Sequence, residues 1–232
     1  MASIPITFDI DPNLTALLVI DMQNGFAAPQ GTIGAAGMDI SMTRGIIPNI
    51  QRLIDAARVV DVHVFWSRQV HYPDDKTRTQ RLIPGHLARG AGRSMLCARG
   101  TWDAEIIDEL QPYLRPEDDV FEKHRASCFY SSNFEARLRI HGIRMLIITG
   151  TTASFCVDST IREAYARDFD VIVPGDAISD TEIEATQAVL RSTERFHGFV
   201  SSTEDVVAKL RAMADSRRSV VEVGSAPYGH CD

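Results

Sequence analysis

The chain has 232 residues, 44% hydrophobic and 24% charged, with a formal net charge of −7. This size and composition are typical of one globular domain with a sizeable buried core. The negative charge argues against a nucleic-acid partner, which favours a basic surface. Because no apolar run approaches the roughly 20 residues of a membrane span, we expect no membrane partner either.

The cysteine pattern argues against a structural zinc site and against a disulfide framework. Four cysteines are scattered along the chain, without a CxxC pair or the Cys/His spacing of a zinc site: Cys97, Cys128, Cys156 and Cys231. The N-terminal residues MASIPITFDIDPN lack the basic and apolar regions of a secretory leader. We therefore expect a cytoplasmic protein with reduced thiols.

Short apolar runs alternate with amphipathic segments along the chain. In chain order they predict a strand at 15–20, a helix at 44–60, a strand at 62–67, a helix at 103–110, a strand at 118–123, a helix at 132–142, a strand at 143–150, a helix after Cys156, a strand at 169–177, a helix at 182–196, a strand at 198–202 and a helix at 203–214. This alternation indicates an α/β fold with a central parallel β-sheet flanked by helices.

Two segments do not fit this alternation. Residues 70–101 form a long polar excursion that contains glycines, and residues 215–232 show no clear period. We therefore predict a single domain over 1–214, followed by a C-terminal tail over 215–232. The tail is interpreted as mobile or packed on a partner subunit.

Reactive side chains stand just after several predicted strands. Asp21 follows the first strand, Lys123 ends the third, and Cys156 lies just beyond the fourth. Each has an ordinary explanation alone, as a loop cap, a surface cation or a small buried thiol. Ligands bind at the carboxyl ends of the strands in open parallel sheets. An acid, a base and a thiol expected at one edge therefore indicate a reactive site.

Cys156 stands where the small residues GTTAS, at 150–154, lead into a helix. A helix start has unpaired N–H groups and the positive end of the helix dipole, and both favour a thiolate. We therefore expect a lowered pKa for Cys156 and a nucleophilic thiol. The same N–H groups can hold an oxyanion beside it.

Three blocks of the sequence resemble the signature blocks of the isochorismatase-like cysteine hydrolases. They are LLVIDMQNGF at 17–26, FEKHRASCFYSS at 121–132 and ITGTTASFCVDSTIREAYARDFDVIVPGDAISD at 148–180. The resemblance implies a three-layer Rossmann-like fold, a homo-oligomer (dimer or tetramer) and a catalytic triad of Asp21, Lys123 and Cys156. It further implies a cis peptide bond between Thr151 and Thr152, with the N–H groups of Thr152 and Cys156 forming the oxyanion hole.

Two departures from family patterns narrow the expected chemistry. Members that cleave the vinyl ether of isochorismate lack the cysteine, so its presence favours hydrolysis of a C–N bond. Nicotinamidases carry an Asp-x-His…His metal site after the second strand, whereas this chain has SRQVHYPDD at 67–75, with His71 alone. We therefore expect no catalytic metal and no cofactor.

Two further segments bear on the substrate. RGTWDAEIIDEL at 99–110 and the pattern K-x-R-x-S-x-F at 123–129 resemble ureidoacrylate and biuret-type amidohydrolases. This resemblance implies a small acyclic ureide or amide that releases ammonia through a thioester. The candidate substrate contacts are Gln23, Phe26, Gln69, Tyr72, Trp102, Phe129 and Tyr130. Basic residues of the excursion, which could pair with a substrate carboxylate or bind ureide carbonyls, are Lys76, Arg78, Arg81, Arg89, Arg93 and Arg99.

Three alternatives stay open at this point. The same chemistry could act on N-carbamoyl amino acids or on a maleamate-type short amide. The fold could instead serve as a non-catalytic interaction module. Finally, Cys156 could be a redox sensor, with Cys128 as its resolving cysteine.

Overall fold

The computed structural model describes residues 5–72 and 95–224, with the side chains of the last helix described up to residue 214. The strands are β1 (Thr15–Ile20), β2 (His63–Gln69), β3 (Asp119–Lys123), β4 (Met145–Thr151), β5 (Asp170–Pro174), β6 (Ile178–Ser179) and β7 (Phe199–Ser201). They form one parallel sheet in the order β3-β2-β1-β4-β5-β7, and β6 pairs with β4.

Helices cover both faces of this sheet. They are α1 (Asn24–Ala27), α2 (Thr32–Ala35), α3 (Ser41–Gly45), α4 (Ile47–Val59), α5 (Phe134–Ile140), α6 (Asp158–Tyr165), α7 (Ile183–Phe196) and α8 (Thr203–Gly224). Side chains of α4 and α8 pack in the core on one face, and those of α5, α6 and α7 pack in the core on the other. The predicted parallel α/β architecture with helical layers on both faces is confirmed.

The central strand β1 explains why the first apolar run is continuous. Leu17 and Val19 point into the core that α4 and α8 cover, while Leu18 and Ile20 point into the opposite core. Every residue of β1 is therefore buried, as is usual for parallel strands with helices on both faces. The order of the strands reverses between β1 and β4, the place where such sheets bind ligands.

The predicted helix at 103–110 is wrong. Ile106 instead forms an antiparallel bridge with Gln23, and the N–H of Ile107 donates to the carbonyl of Met22 over 2.9 Å. These tertiary hydrogen bonds take backbone groups that a helix would use, and they bury both isoleucines beneath the segment that follows β1.

The C-terminal helix is longer than the apolar pattern predicts. It runs to Gly224, so the first part of the predicted 215–232 tail is helical. Residues 73–94, which include the basic residues of the excursion up to Arg93, lie outside the described residues. Among the described helices, none combines the length and the hydropathy needed to cross a membrane.

Gly150 lets β1 and β4 approach each other beside the end of β1. It pairs with Ile20 and has a φ of +108°. A Cβ atom at this position would lie 2.1 Å from the carbonyl oxygen of Ile20. A larger residue would therefore separate the two strands next to Asp21.

We expect Gly150→Ala to lower the free energy of unfolding by roughly 3 kcal/mol or more, because backbone atoms must move. Gly142→Ala is the matched control: its φ is +69°, and an added Cβ meets nothing within 4 Å. That variant should cost only the left-handed backbone penalty of about 1–2 kcal/mol. Urea denaturation followed by circular dichroism measures both, and equal losses would contradict the steric explanation.

Candidate active site

Three segments at the carboxyl edge of the sheet bring Asp21, Lys123 and Cys156 together. Asp21 follows β1, Lys123 is the last residue of β3, and Cys156 lies in a turn that follows β4. The Lys123 Nζ atom is 2.7 Å from Asp21 Oδ2 and 3.3 Å from Cys156 Sγ. Asp21 and Lys123 have no exposed surface, and Cys156 is 2% exposed. The three side chains thus form one buried cluster.

Ser67 holds the carboxylate of Asp21 in place. It pairs with Ile20 across β1 and β2, so it lies level with Asp21. Its hydroxyl donates to Asp21 Oδ1 over 2.7 Å and accepts from the Asp21 N–H over 3.2 Å. The role of this serine does not follow from its local sequence. The available signal was a hydroxyl that ends the mostly apolar run VHVFWS.

The Lys123 ammonium group is fully committed to neighbouring atoms. It donates to Gln69 Oε1 over 2.8 Å and to the Arg125 carbonyl over 3.1 Å, besides its contacts with Asp21 and Cys156. A lysine has three protons to donate, and here four groups surround them. Lys123 is therefore a fixed cation, and Gln69, a predicted substrate contact, orients it.

Burial and the charges of this cluster shift the pKa values of Lys123 and Cys156. Burial alone lowers the pKa of Lys123, but the negative charge of Asp21, joined by that of Cys156 once the thiol ionises, outweighs it and raises that pKa above its usual value. Burial raises the pKa of Cys156; Lys123 lowers it, while Asp21 raises it through its charge and a hydrogen bond. The net direction is upward. The expected lowered pKa of Cys156 is therefore wrong for the resting site, whose thiol is protonated at neutral pH.

Cys156 lies in a π-helical turn, Ala153–Val157, rather than in the first turn of α6. The Val157 N–H donates to the Thr152 carbonyl over 3.1 Å, which closes the wide turn. The Thr151–Thr152 peptide bond before it is cis, the conformation that the resemblance implies. Turns of this kind are often found at functional sites.

Asp180 fixes the start of this turn. Its Oδ2 atom accepts from the Ser154 N–H over 2.8 Å and from the Ser154 hydroxyl over 2.6 Å. On the other side of the nucleophile, the Thr160 hydroxyl donates to the Cys156 carbonyl over 2.7 Å. Sequence reasoning missed Asp180, although it is the last acidic residue of the third signature block.

Gln23, a predicted substrate contact, makes three hydrogen bonds within the protein. Its Nε2 atom donates to the carbonyls of Gln69 and Ala104 over 2.9 and 2.8 Å, and its Oε1 accepts from the Gln69 N–H over 2.8 Å. Both ends of the amide are used and the side chain is fully buried, so its contact with substrate stays a prediction. It joins the segment after β1 to the end of β2.

The predicted aromatic contacts have different environments. Phe129 packs in the core, with its ring centroid 5.0 Å from that of Phe134 and 5.8 Å from that of Phe169, and its role as a substrate wall stays a prediction. Tyr72 lies beneath the Arg99 guanidinium, at 4.8 Å, and also bonds it through its hydroxyl. Phe26 is half-buried, whereas Trp102 and Tyr130 are exposed.

Comparisons with known proteins agree with this fold. The model of the isochorismatase domain matches residues 15–205. A ureidoacrylate amidohydrolase RutB of Methylorubrum extorquens is 36% identical over 222 residues, covering 89% of this chain and 86% of that protein.

Solved structures are similar as well. A cysteine hydrolase from Pseudomonas syringae pv. phaseolicola has a TM-score of 0.77 at 25% identity and covers 91% of this chain and 99% of its own. N-carbamoylsarcosine amidase from Thermoplasma acidophilum has a TM-score of 0.65 at 25% identity, with coverages of 82% and 96%.

We expect Asp21→Asn to speed the alkylation of Cys156 by iodoacetamide at neutral pH. The change removes a charge that raises the pKa of Cys156 and leaves Lys123, which lowers it. Each unit by which the pKa falls gives about tenfold more thiolate. Peptide mass spectrometry over a range of pH values measures the rate at Cys156 itself.

Two controls accompany this measurement. Asp158→Asn removes a carboxylate two positions along the chain, one that pairs with Arg162, and should leave the rate unchanged. Cys128 has no exposed surface, and its rate in each digest serves as the reference for a fully buried thiol. A slower or unchanged rate in Asp21→Asn would show that its carboxylate does not hold the thiol protonated.

Proposed function

Because this chain belongs to the isochorismatase family and is a hydrolase of non-peptide carbon–nitrogen bonds, we propose that it releases ammonia from a small acyclic ureide through a thioester on Cys156. The observation that carries this proposal is the contact of the Cys156 thiol with a buried Asp21–Lys123 ion pair. Such a cluster suits an activated nucleophile with an adjacent base.

In the first step, Asp21 takes the proton of the Cys156 thiol. Lys123 cannot take it, because its raised pKa keeps the ammonium protonated. The sulfur then attacks the substrate carbonyl carbon, so that an S–C bond forms and the carbonyl oxygen becomes an oxyanion. The negative charge thus passes from the Asp21 carboxylate to the sulfur and then to the oxyanion, and the Lys123 ammonium group offsets it at each position.

The second step expels ammonia. Backbone N–H groups of Thr152 and Cys156 hold the oxyanion, a contribution of roughly 3 kcal/mol per donor in comparable sites. Asp21 passes its proton to the departing nitrogen, the C–N bond breaks and the thioester remains. Asp21 then deprotonates a water molecule that attacks the thioester, the C–S bond breaks, and the sulfur regains a proton.

The relatives support a terminal carbamoyl group in the substrate. One relative is named for ureidoacrylate and one similar structure for N-carbamoylsarcosine, and both names denote a urea-type H₂N–CO–N end. Arg99, held over the ring of Tyr72, is a described cation suited to a carboxylate or to ureide carbonyls. The N-carbamoylsarcosine amidase likeness also favours a second candidate, an N-carbamoyl amino acid.

The experiment that tests the proposal compares ammonia release from ureidoacrylate, biuret-type ureides, N-carbamoyl amino acids, a maleamate-type amide, nicotinamide and aliphatic amides. A ureide should have the highest kcat/KM. An N-carbamoyl amino acid in first place would select the second candidate. A tenfold advantage for nicotinamide or an aliphatic amide, about 1.4 kcal/mol in transition-state stabilisation, would overturn the ureide assignment.

We expect Cys156→Ser to fold normally and to lose essentially all turnover, because a hydroxyl is far less acidic than a thiol. Cys97→Ser is the matched control, since Cys97 is also buried and its Sγ donates to the Asp103 carbonyl, a bond that a hydroxyl can keep. If Cys156→Ser keeps more than a few per cent of kcat, the nucleophile is another group. Inactivity of the native chain on every substrate would favour the interaction-module alternative.

We also propose a homo-oligomer, a dimer or tetramer, on the family resemblance and on apolar side chains exposed near the nucleophile. Phe155, beside Cys156, is 61% exposed, and Ile183 at the start of α7 is 48% exposed. Exposed apolar groups of this kind are common at protein interfaces. Light scattering at micromolar concentration should give a mass of at least two chains, and a monomer would contradict the proposal.

A further inference from the structure

A second cluster of titratable side chains lies at the opposite edge of the sheet from the triad. His63 is the first residue of β2, Asp119 is the first residue of β3, and His141 directly follows α5. His63 Nε2 is 2.7 Å and His141 Nε2 is 3.1 Å from the same Asp119 oxygen, Oδ2. Three segments distant in sequence thus aim one donor atom each at a common point.

The donor set of this cluster is that of a borderline divalent ion. Its two imidazole nitrogens and one carboxylate oxygen all lie within 4.8 Å of one another. Zinc sites of proteins use these ligand types, at about 2.0–2.2 Å from the ion, and sites with three protein ligands keep a water in the fourth position.

We propose that His63, Asp119 and His141 bind one divalent transition-metal ion of the zinc class, at a site that takes no part in bond cleavage. Imidazole and carboxylate ligands favour Zn²⁺, Co²⁺ or Ni²⁺ over Mg²⁺ or Ca²⁺, which prefer oxygen. The ion would join the starts of β2 and β3 to the end of α5.

Neighbouring side chains hold these ligands in place. The His63 and His141 rings lie 4.0 Å apart, and both lie near Phe65, at centroid distances of 4.8 and 6.0 Å. Arg137 lies 2.5 Å from the other carboxylate oxygen of Asp119, Oδ1. A partner of this kind orients a ligating carboxylate, although its positive charge also limits the affinity, which we expect to be micromolar.

The access of this cluster to solvent suits metal binding. The side chains of His63, Asp119 and His141 are 25%, 19% and 38% exposed. An ion can therefore enter from solvent and keep a water ligand.

The distance to the triad separates this site from the proposed catalysis. Asp119 and Lys123 stand at opposite ends of β3, about 13 Å apart at the usual rise per residue. An ion held by Asp119 is too far away to contact a carbonyl at Cys156. The inference therefore does not rest on the proposed function, and either can fail alone.

The test is calorimetric titration of the metal-stripped full chain with Zn²⁺, followed by Co²⁺ titration in visible absorption. The wild-type chain should bind one equivalent with micromolar affinity, and the Co²⁺ spectrum should show nitrogen and oxygen ligands without thiolate charge-transfer bands. His63→Gln and His141→Gln should each weaken binding at least tenfold. His197→Gln, at the end of α7, is the matched control and should bind as the wild type does.

Four results would overturn the proposal. They are the absence of stoichiometric binding by the wild-type chain, binding by His63→Gln and His141→Gln as tight as that of the wild type, thiolate bands in the Co²⁺ spectrum, and a loss of ammonia release on stripping. The thermal midpoint should rise with Zn²⁺ in the wild type and in His197→Gln only. Ammonia release should be equal in stripped and loaded protein, since a loss on stripping would contradict a site outside bond cleavage.

Discussion

A buried pair of opposite charges, Asp21 and Lys123, constrains the whole carboxyl edge of the sheet. Removing two ions from water costs several kcal/mol each unless they are paired and hydrogen-bonded. Their neighbours meet this requirement: Ser67 bonds the carboxylate, and Gln69 and the Arg125 carbonyl bond the ammonium. The register of β1, β2 and β3 brings these groups together, so the strand pairing and the ion pair depend on each other.

The same arrangement divides the tasks among the three reactive groups. An ammonium surrounded by acceptors can supply charge but cannot easily move a proton. In the mechanism that we propose, Asp21 is then the group left to exchange protons with Cys156. The nucleophile is held from both sides, by Asp180 through the start of its turn and by Thr160 through the Cys156 carbonyl. Pre-positioning of this kind is a large part of catalysis by such sites.

Much of this could be predicted from the sequence, because some features are encoded locally. The apolar run at 15–20 coincides with β1, and the reactive residues stand just after strands in the chain. Features set by distant segments could not be read in the same way. The 103–110 segment looks helical by its own pattern, but bonds to Met22 and Asn24 prevent a helix.

The roles of individual side chains are also difficult to predict from the sequence, because they depend on segments that are distant in the chain. Nothing local to Gln23 or Phe129 tells whether it faces a ligand or the interior, because that depends on which segments pack around it. The pKa of Cys156 is a further case. Its position before a helix suggests an acidic thiol, but the carboxylate that opposes this effect stands on another strand, far away in sequence.

A thiol that is protonated in the resting protein is protected from oxidation by peroxide. Peroxide attacks thiolates, and the first product, a sulfenic acid, leads on to forms that cannot be repaired. Because Cys156 is buried and protonated until a base accepts its hydrogen, the resting protein presents little thiolate to such attack. The same property argues against the redox-sensor alternative, since a sensor needs an exposed and acidic cysteine. The sulfur would then react with a bound substrate carbonyl in preference to peroxide, because it loses its proton only when that carbonyl is in place.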